Sequence, residues 1–121
     1  DDFLNYIGKE LIEPYNKLRD RLLQLNDIEI KCKSNYVSIW KGKKVVVYIN
    51  RGKKYLSVDM ISSVDWRGDV NSKNQFILED SKQYFKLYES EYKKLYYHHL
   101  NQKTDIDYLY MMIKQKYDSM K

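Results

Sequence analysis

An α+β fold is predicted for this chain: an antiparallel sheet of about four to five strands, with an N-terminal and a C-terminal helix packed on one face. Three observations lead there. Apolar residues recur at spacings of three and four from Leu4 to Leu25, the period drops to two between Tyr36 and Met60, and a capped helical pattern begins at Asp105.

Leu4, Ile7, Leu11, Tyr15, Leu18, Leu22 and Leu25 fall on one side of a helix. That side is expected to cover the sheet. Pro14 interrupts the pattern, because it lacks an N–H and its ring clashes with the carbonyl of the preceding turn. The expectation is a kink there, or a second helix that carries Pro14 in its first turn. Asn26-Asp27 ends the helical stretch.

Beyond Ile28 the alternation takes over. Val37 and Ile39 interleave with Tyr36, Ser38 and Trp40, and Leu56, Val58 and Met60 interleave with Tyr55, Ser57 and Asp59. The glycine-bearing links Lys41-Gly42-Lys43 and Asn50-Arg51-Gly52-Lys53 favour tight antiparallel hairpins. Val45 to Ile49 is apolar at both alternations and is therefore placed at the centre of the sheet.

Residues 62–80 carry clustered turn formers, among them Ser62-Ser63 and Trp66-Arg67-Gly68-Asp69, and are read as a long loop. Tyr84, Tyr88, Tyr92 and Tyr96 recur every four residues, so a short helix and then a strand are expected up to Leu100. Thr104 or Asp105 then caps a closing helix, with Ile106, Leu109, Ile113 and Tyr117 on its apolar side.

The 121 residues suit one domain, and hydrophobic and charged contents of 43% and 32% suit a folded one. Because the chain opens at Asp1 in a helical pattern, it is expected to be a C-terminal fragment of a longer protein, with that protein's upstream domain among its partners. Cys32 stands alone, so no intramolecular disulfide can form and a cytoplasmic location is expected. No apolar run approaches the length of a membrane-spanning helix.

Charge placement is the strongest functional signal. From Lys31 to Val58 there are eight cations, Lys31, Lys33, Lys41, Lys43, Lys44, Arg51, Lys53 and Lys54, and no acidic residue. Tyr36, Trp40, Tyr48 and Tyr55 are interleaved with them. Cations for phosphates and rings for bases are what a nucleic-acid surface requires. The structural alternative is that lysines guard turns and strand edges against aggregation.

His98 and His99 are adjacent and diverge on either kind of element, so they cannot chelate one metal together. The segment from Tyr96 to Asp107 reads instead as a junction between a strand and a capped helix. No cofactor or metal is expected. For catalysis, Glu29-Ile30-Lys31 matches the acid-x-lysine fragment of a magnesium nuclease, with Asp20 or Glu13 as the further acid. Asp59, Asp65, Asp69, Glu79 and Asp80 are the other carboxylates available.

Taken together, Leu18-Arg19-Asp20-Arg21-Leu22, Tyr36-Val37-Ser38-Ile39-Trp40, Val45 to Leu56, and Asp105-Ile106-Asp107-Tyr108-Leu109 leading to Gln115-Lys116-Tyr117 resemble domain-of-unknown-function family 5655. The resemblance runs from about Ile12 to the end. It implies an opening helix, an antiparallel sheet and a final strand leading into the last helix. Relatives are sometimes labelled predicted transport proteins, which no segment here supports. They also occur at the C-terminus of bacterial proteins similar to restriction and antiphage systems, which implies an accessory module. The chain departs from the family pattern between Asn71 and Glu91, a stretch without glycine.

The expected function is a noncatalytic nucleic-acid-binding or DNA-positioning domain of a bacterial restriction or antiphage protein, with DNA favoured. Lys31, Lys33, Lys41, Lys43, Lys44, Arg51, Lys53 and Lys54 would meet phosphate and Trp40 or Trp66 would stack on bases across a basic open face. The alternative is a protein-interaction or dimerisation module anchored on Trp66, Arg67 and Tyr97, with a second copy of the chain as one partner. A small metal-dependent nuclease is the third reading.

Overall fold

The computed structural model describes residues 2–64, 76–90 and 93–120. A short 3-10 helix at Asp2–Tyr6 leads into helix α1, Lys9–Leu22. The break between them falls at Ile7-Gly8, not at Pro14, which lies inside α1. Since Pro14 has no N–H, the Glu10 carbonyl loses its intrahelical donor, and the helix continues because its apolar side is held by the sheet. Leu11, Tyr15, Leu18 and Leu22 are each 1% exposed or less. Truncating one of them, as in Leu18→Ala, is expected to cost about 2–5 kcal/mol.

Six strands follow among the described residues: β1 Ile28–Cys32, β2 Tyr36–Lys41, β3 Lys44–Arg51, β4 Leu56–Val64, β5 Lys86–Glu89 and β6 Lys93–Leu100. They form one antiparallel sheet in the order β1-β2-β3-β4-β6-β5. Helix α2, Ile106–Ser119, closes the chain and packs beside α1. The architecture is α+β as expected, with six strands in place of four to five. β3 is indeed one of the two central strands.

The extra strand is β5, where a short helix was expected. The tyrosine spacing of four does not mark a helix, because Tyr84 precedes β5, Tyr88 lies within it and Tyr96 lies on β6 opposite Leu87. Tyr88 sits opposite Leu95, and the Ser90 N–H donates to the Lys93 carbonyl at 2.8 Å to close the β5–β6 hairpin. Gly42, at φ +62°, makes the tight β2–β3 turn, where a side chain would be strained.

Register sorts the side chains between two faces. Val37, Ile39, Val47, Ile49, Leu56, Val58 and Met60 pair across β2, β3 and β4 and are buried against α1 and α2. Leu109 and Ile113 of α2 are fully buried with them. Among the described residues the opposite face carries no helix. Its residues are the odd ones out of the same alternation, and they define the candidate site.

Candidate nucleic-acid interface

One row of cross-strand neighbours runs over the uncovered face: Lys31, Ser38, Tyr48, Asp59, Tyr97 and Lys86. The next row is Tyr36, Asn50, Ser57 and His99. Residues directly opposite on neighbouring strands share a face, so these side chains form one surface. At its centre the Asp59 carboxylate is fixed from both sides: Asn50 Nδ2 donates to Oδ2 and Ser57 Oγ donates to Oδ1, each at 2.6 Å.

Rings surround that carboxylate. Tyr36 and Tyr48 meet edge to face at 6.2 Å, and Tyr97 tilts toward His99 at 5.5 Å. His99 in turn stacks on Tyr55, with 3.9 Å between centroids and 14° between planes. Toward β1, Trp40 donates from Nε1 to Ser38 Oγ at 2.9 Å, and the Lys31 ammonium lies 4.2 Å above its ring. The surface is thus aromatic and polar, with Lys31 and Lys86 at its margins.

Tyr55 is held by the β3–β4 turn. The Gly52 N–H donates to the Tyr55 carbonyl at 2.9 Å, and a Cβ at position 52 would lie 2.6 Å from the Tyr55 ring. Glycine is required there so that the ring can lie over the turn and reach His99. Around this turn Tyr6, Arg51, Gly52, Lys53 and Tyr55 line an open groove of about 590 Å³. The Arg51 guanidinium sits 5.3 Å from the Tyr6 ring and donates from Nη2 to Asn35 Oδ1 at 3.0 Å.

The eight cations do not form one basic face, which corrects the expectation from sequence. Register puts the β1–β2 and β3–β4 turns at one end of the sheet, since Arg51 N donates to the Asn35 carbonyl. Lys33, Arg51, Lys53 and Lys54 are exposed at that end. Lys43 and Lys44 are exposed at the other, the length of β3 away, about 23 Å at 3.3 Å per residue. Only Lys31 of the eight lies on the open face itself.

Lys41 is a further correction. Its ammonium donates to the Tyr117 and Met120 carbonyls at 2.9 and 2.8 Å and lies 4.1 Å above the Tyr117 ring. It closes the C-terminal end of α2, where carbonyls lack intrahelical partners, and is not presented to a phosphate. Tyr97 lies in the central row beside Asp59. Trp66 and Arg67, like Asp65 and Asp69, lie outside the described residues.

Nor does the acid-x-lysine fragment assemble. Glu29 and Lys31 share a face with Trp40, whereas Ile28, Ile30 and Cys32 point to the core on which α1 packs. Asp20 and Glu13 of α1 are therefore on the other side of the sheet from Glu29. Asp59 and Asp80 are separated in the same way, Asp80 being occupied by the Tyr84 and Phe85 N–H groups and the Tyr108 hydroxyl. Among the described residues no group of three or more His, Cys, Asp or Glu is placed to hold a metal ion.

The two histidines part company as expected. His98 pairs with buried Val58 and faces the helices, while His99 is exposed on the open face. His98 Nδ1 is 2.9 Å from the Tyr84 carbonyl and Nε2 is 3.2 Å from the Thr104 hydroxyl. Burial holds its pKa below the ordinary histidine value, against an opposing pull from the Tyr84 carbonyl. It ties the strand end to the helix start. The Asp59 cluster went unread in the sequence, although Asn50, Ser57, Asp59 and His99 occupy the polar positions of the alternation.

No protein-family model matches the chain, and no curated protein or solved structure is significantly similar to it. No helix among the described residues is long and apolar enough to cross a membrane. What the chain does therefore rests on its own geometry.

Proposed function

We propose that the chain is a noncatalytic nucleic-acid-binding domain, with DNA the favoured partner, that lays a strand over the open sheet face. One observation carries this reading: the rings on the face are continuous with the cations at its end. Tyr55 belongs to both, stacked on His99 on the face and lining the groove beside Arg51 and Lys53. An antiparallel sheet with helices behind and aromatic side chains in front offers planar surfaces to unpaired bases, while cations at the rim take the phosphates. The setting we attach to it, on the resemblance to family 5655, is that of an accessory, DNA-positioning domain beside an upstream domain of a bacterial restriction or antiphage protein in the cytoplasm.

Fluorescence anisotropy with labelled single-stranded and duplex DNA tests this. The expected result is tighter binding of the single strand, with affinity falling steeply as salt is raised. Lys53→Glu with Lys54→Glu should weaken it by about tenfold or more, and Lys43→Glu with Lys44→Glu by less, because only the former pair adjoins the rings. Failure of both DNAs to bind at low salt would overturn the proposal.

A second reading has its own observation. β5 is an edge strand of four exposed residues, with Leu87 48% and Tyr88 50% exposed. Its outer edge pairs with no strand among the described residues and offers a place for a strand from a partner domain or a second copy of the chain. Sedimentation of the wild type and of Tyr88→Lys distinguishes this, since a monomer in both would remove self-association.

A further inference from the structure

A carboxylate is out of place at the centre of a surface that receives a polyanion. Asp59 repels phosphate, yet it is the best-anchored polar group on the open face, with donors from Asn50 and Ser57 on its two oxygens. Those two bonds orient it without exhausting it, because an ionised carboxylate has about four lone-pair sites. Its direct neighbours are Tyr48 on β3 and Tyr97 on β6. Two strand spacings separate these tyrosines, about 9–10 Å, which is wide enough to admit the edge of one planar base.

Repulsion from the phosphates is offset only if something on the nucleic acid donates to Asp59. Sugars of DNA and phosphates offer no donor within a chain, whereas base edges do. Resting on the nucleic-acid reading above, we infer that Asp59 selects guanine at one position of the bound strand. The guanine Watson–Crick edge sets N1–H and N2–H side by side, a donor pair that matches the two oxygens of one carboxylate. Cytosine and adenine present a single amino group on that edge. Thymine presents N3–H between two carbonyl oxygens, which the carboxylate repels. The order of preference is therefore guanine first and thymine last.

The test is a comparison of three short single strands: oligothymidylate, the same oligomer with one central guanine, and the same with inosine, which lacks the N2 amino group. The guanine oligomer should bind about tenfold tighter than oligothymidylate, within the range of one bidentate contact, with inosine between them. Asp59→Asn should bring the guanine-to-thymine ratio close to one while oligothymidylate binds at least as well as before. Equal wild-type affinities for guanine and thymine oligomers, or a preference that survives Asp59→Asn, would overturn the assignment and leave the nucleic-acid reading standing. If none of the three binds at low salt, both fall. Should Asp59→Asn not fold, the inosine comparison on the wild type decides alone, since a guanine preference undiminished by loss of the N2 amino group would also overturn it.

Discussion

His98 lies parallel to Tyr84, with 4.8 Å between ring centroids and 8° between planes, and donates from Nδ1 to that residue's carbonyl oxygen at 2.9 Å. The carbonyl can only accept, so Nδ1 carries the proton and Nε2 is left to accept from the Thr104 hydroxyl. Thr104 Oγ1 also accepts the Asn101 N–H at 3.0 Å on a lone pair, which leaves its own proton free to donate to the imidazole.

Acid should loosen this junction. Burial lowers the folded pKa of His98 below 6.5, so the unfolded chain binds the proton first as pH falls. The stabilisation is complete above about pH 6.5 and is lost as pH falls through the lower folded value. Denaturation midpoints measured from pH 7.5 to 5 should decline more steeply for the wild type than for His98→Gln. Parallel curves would show that another group sets the acid limit.

Lys41 should behave as a structural cation. Its two carbonyl acceptors and the Tyr117 ring hold the last turn of α2 to the β2–β3 hairpin. Lys41→Ala is expected to lower stability by about 1–2 kcal/mol. Its DNA affinity should remain within about twofold of the wild type, unlike that of a variant altered at Lys53 and Lys54. Chemical denaturation and anisotropy on the same protein separate the two effects, and a large loss of affinity with unchanged stability would restore Lys41 to the interface.

These contrasts show which information the sequence held. Helix α1, the β2–β3–β4 meander and α2 were legible because each buries one side, and burial imprints a period on the residue types. β5 was not, because all four of its residues are exposed and no core imposes a pattern on them. The cations were legible as a group but not as a geometry. Lys43 and Lys54 are close in sequence, yet a strand of eight residues drives their turns to opposite ends, and Lys41 turns to helix carbonyls some 76 residues away. Asp59 was visible only as one acid among several. Its meaning comes from Tyr48 and Tyr97, which register alone brings to its sides.

Lys116 gives a prediction with the same pH sign as His98, but in the alkaline range. It lies on the last turn of α2 with only 9% exposure, and its ammonium donates to the Ile61 carbonyl at 2.6 Å. Burial pushes its pKa down from 10.5 to about 8. Between those two values the unfolded chain holds the proton that the folded chain has released, so this group adds stability as pH rises from 8 to 10.5. Below pH 8 both states are charged and the cost of burying the ammonium is felt in full. At pH 7 that cost is about 3 kcal/mol at 1.36 kcal/mol per unit, an order-of-magnitude figure. Lys116→Met removes it and leaves the Ile61 carbonyl unpaired, which costs about 1–2 kcal/mol in return. The variant should therefore be more stable than the wild type at pH 7 by roughly 1–2 kcal/mol. Its advantage should vanish toward pH 10, where the neutral amine keeps its hydrogen bond without the charge. The quantity to measure is the difference between the two proteins across pH 7 to 10 by urea denaturation, in which groups common to both cancel. A variant less stable than the wild type at pH 7 would mean that the bond to Ile61 outweighs the buried charge.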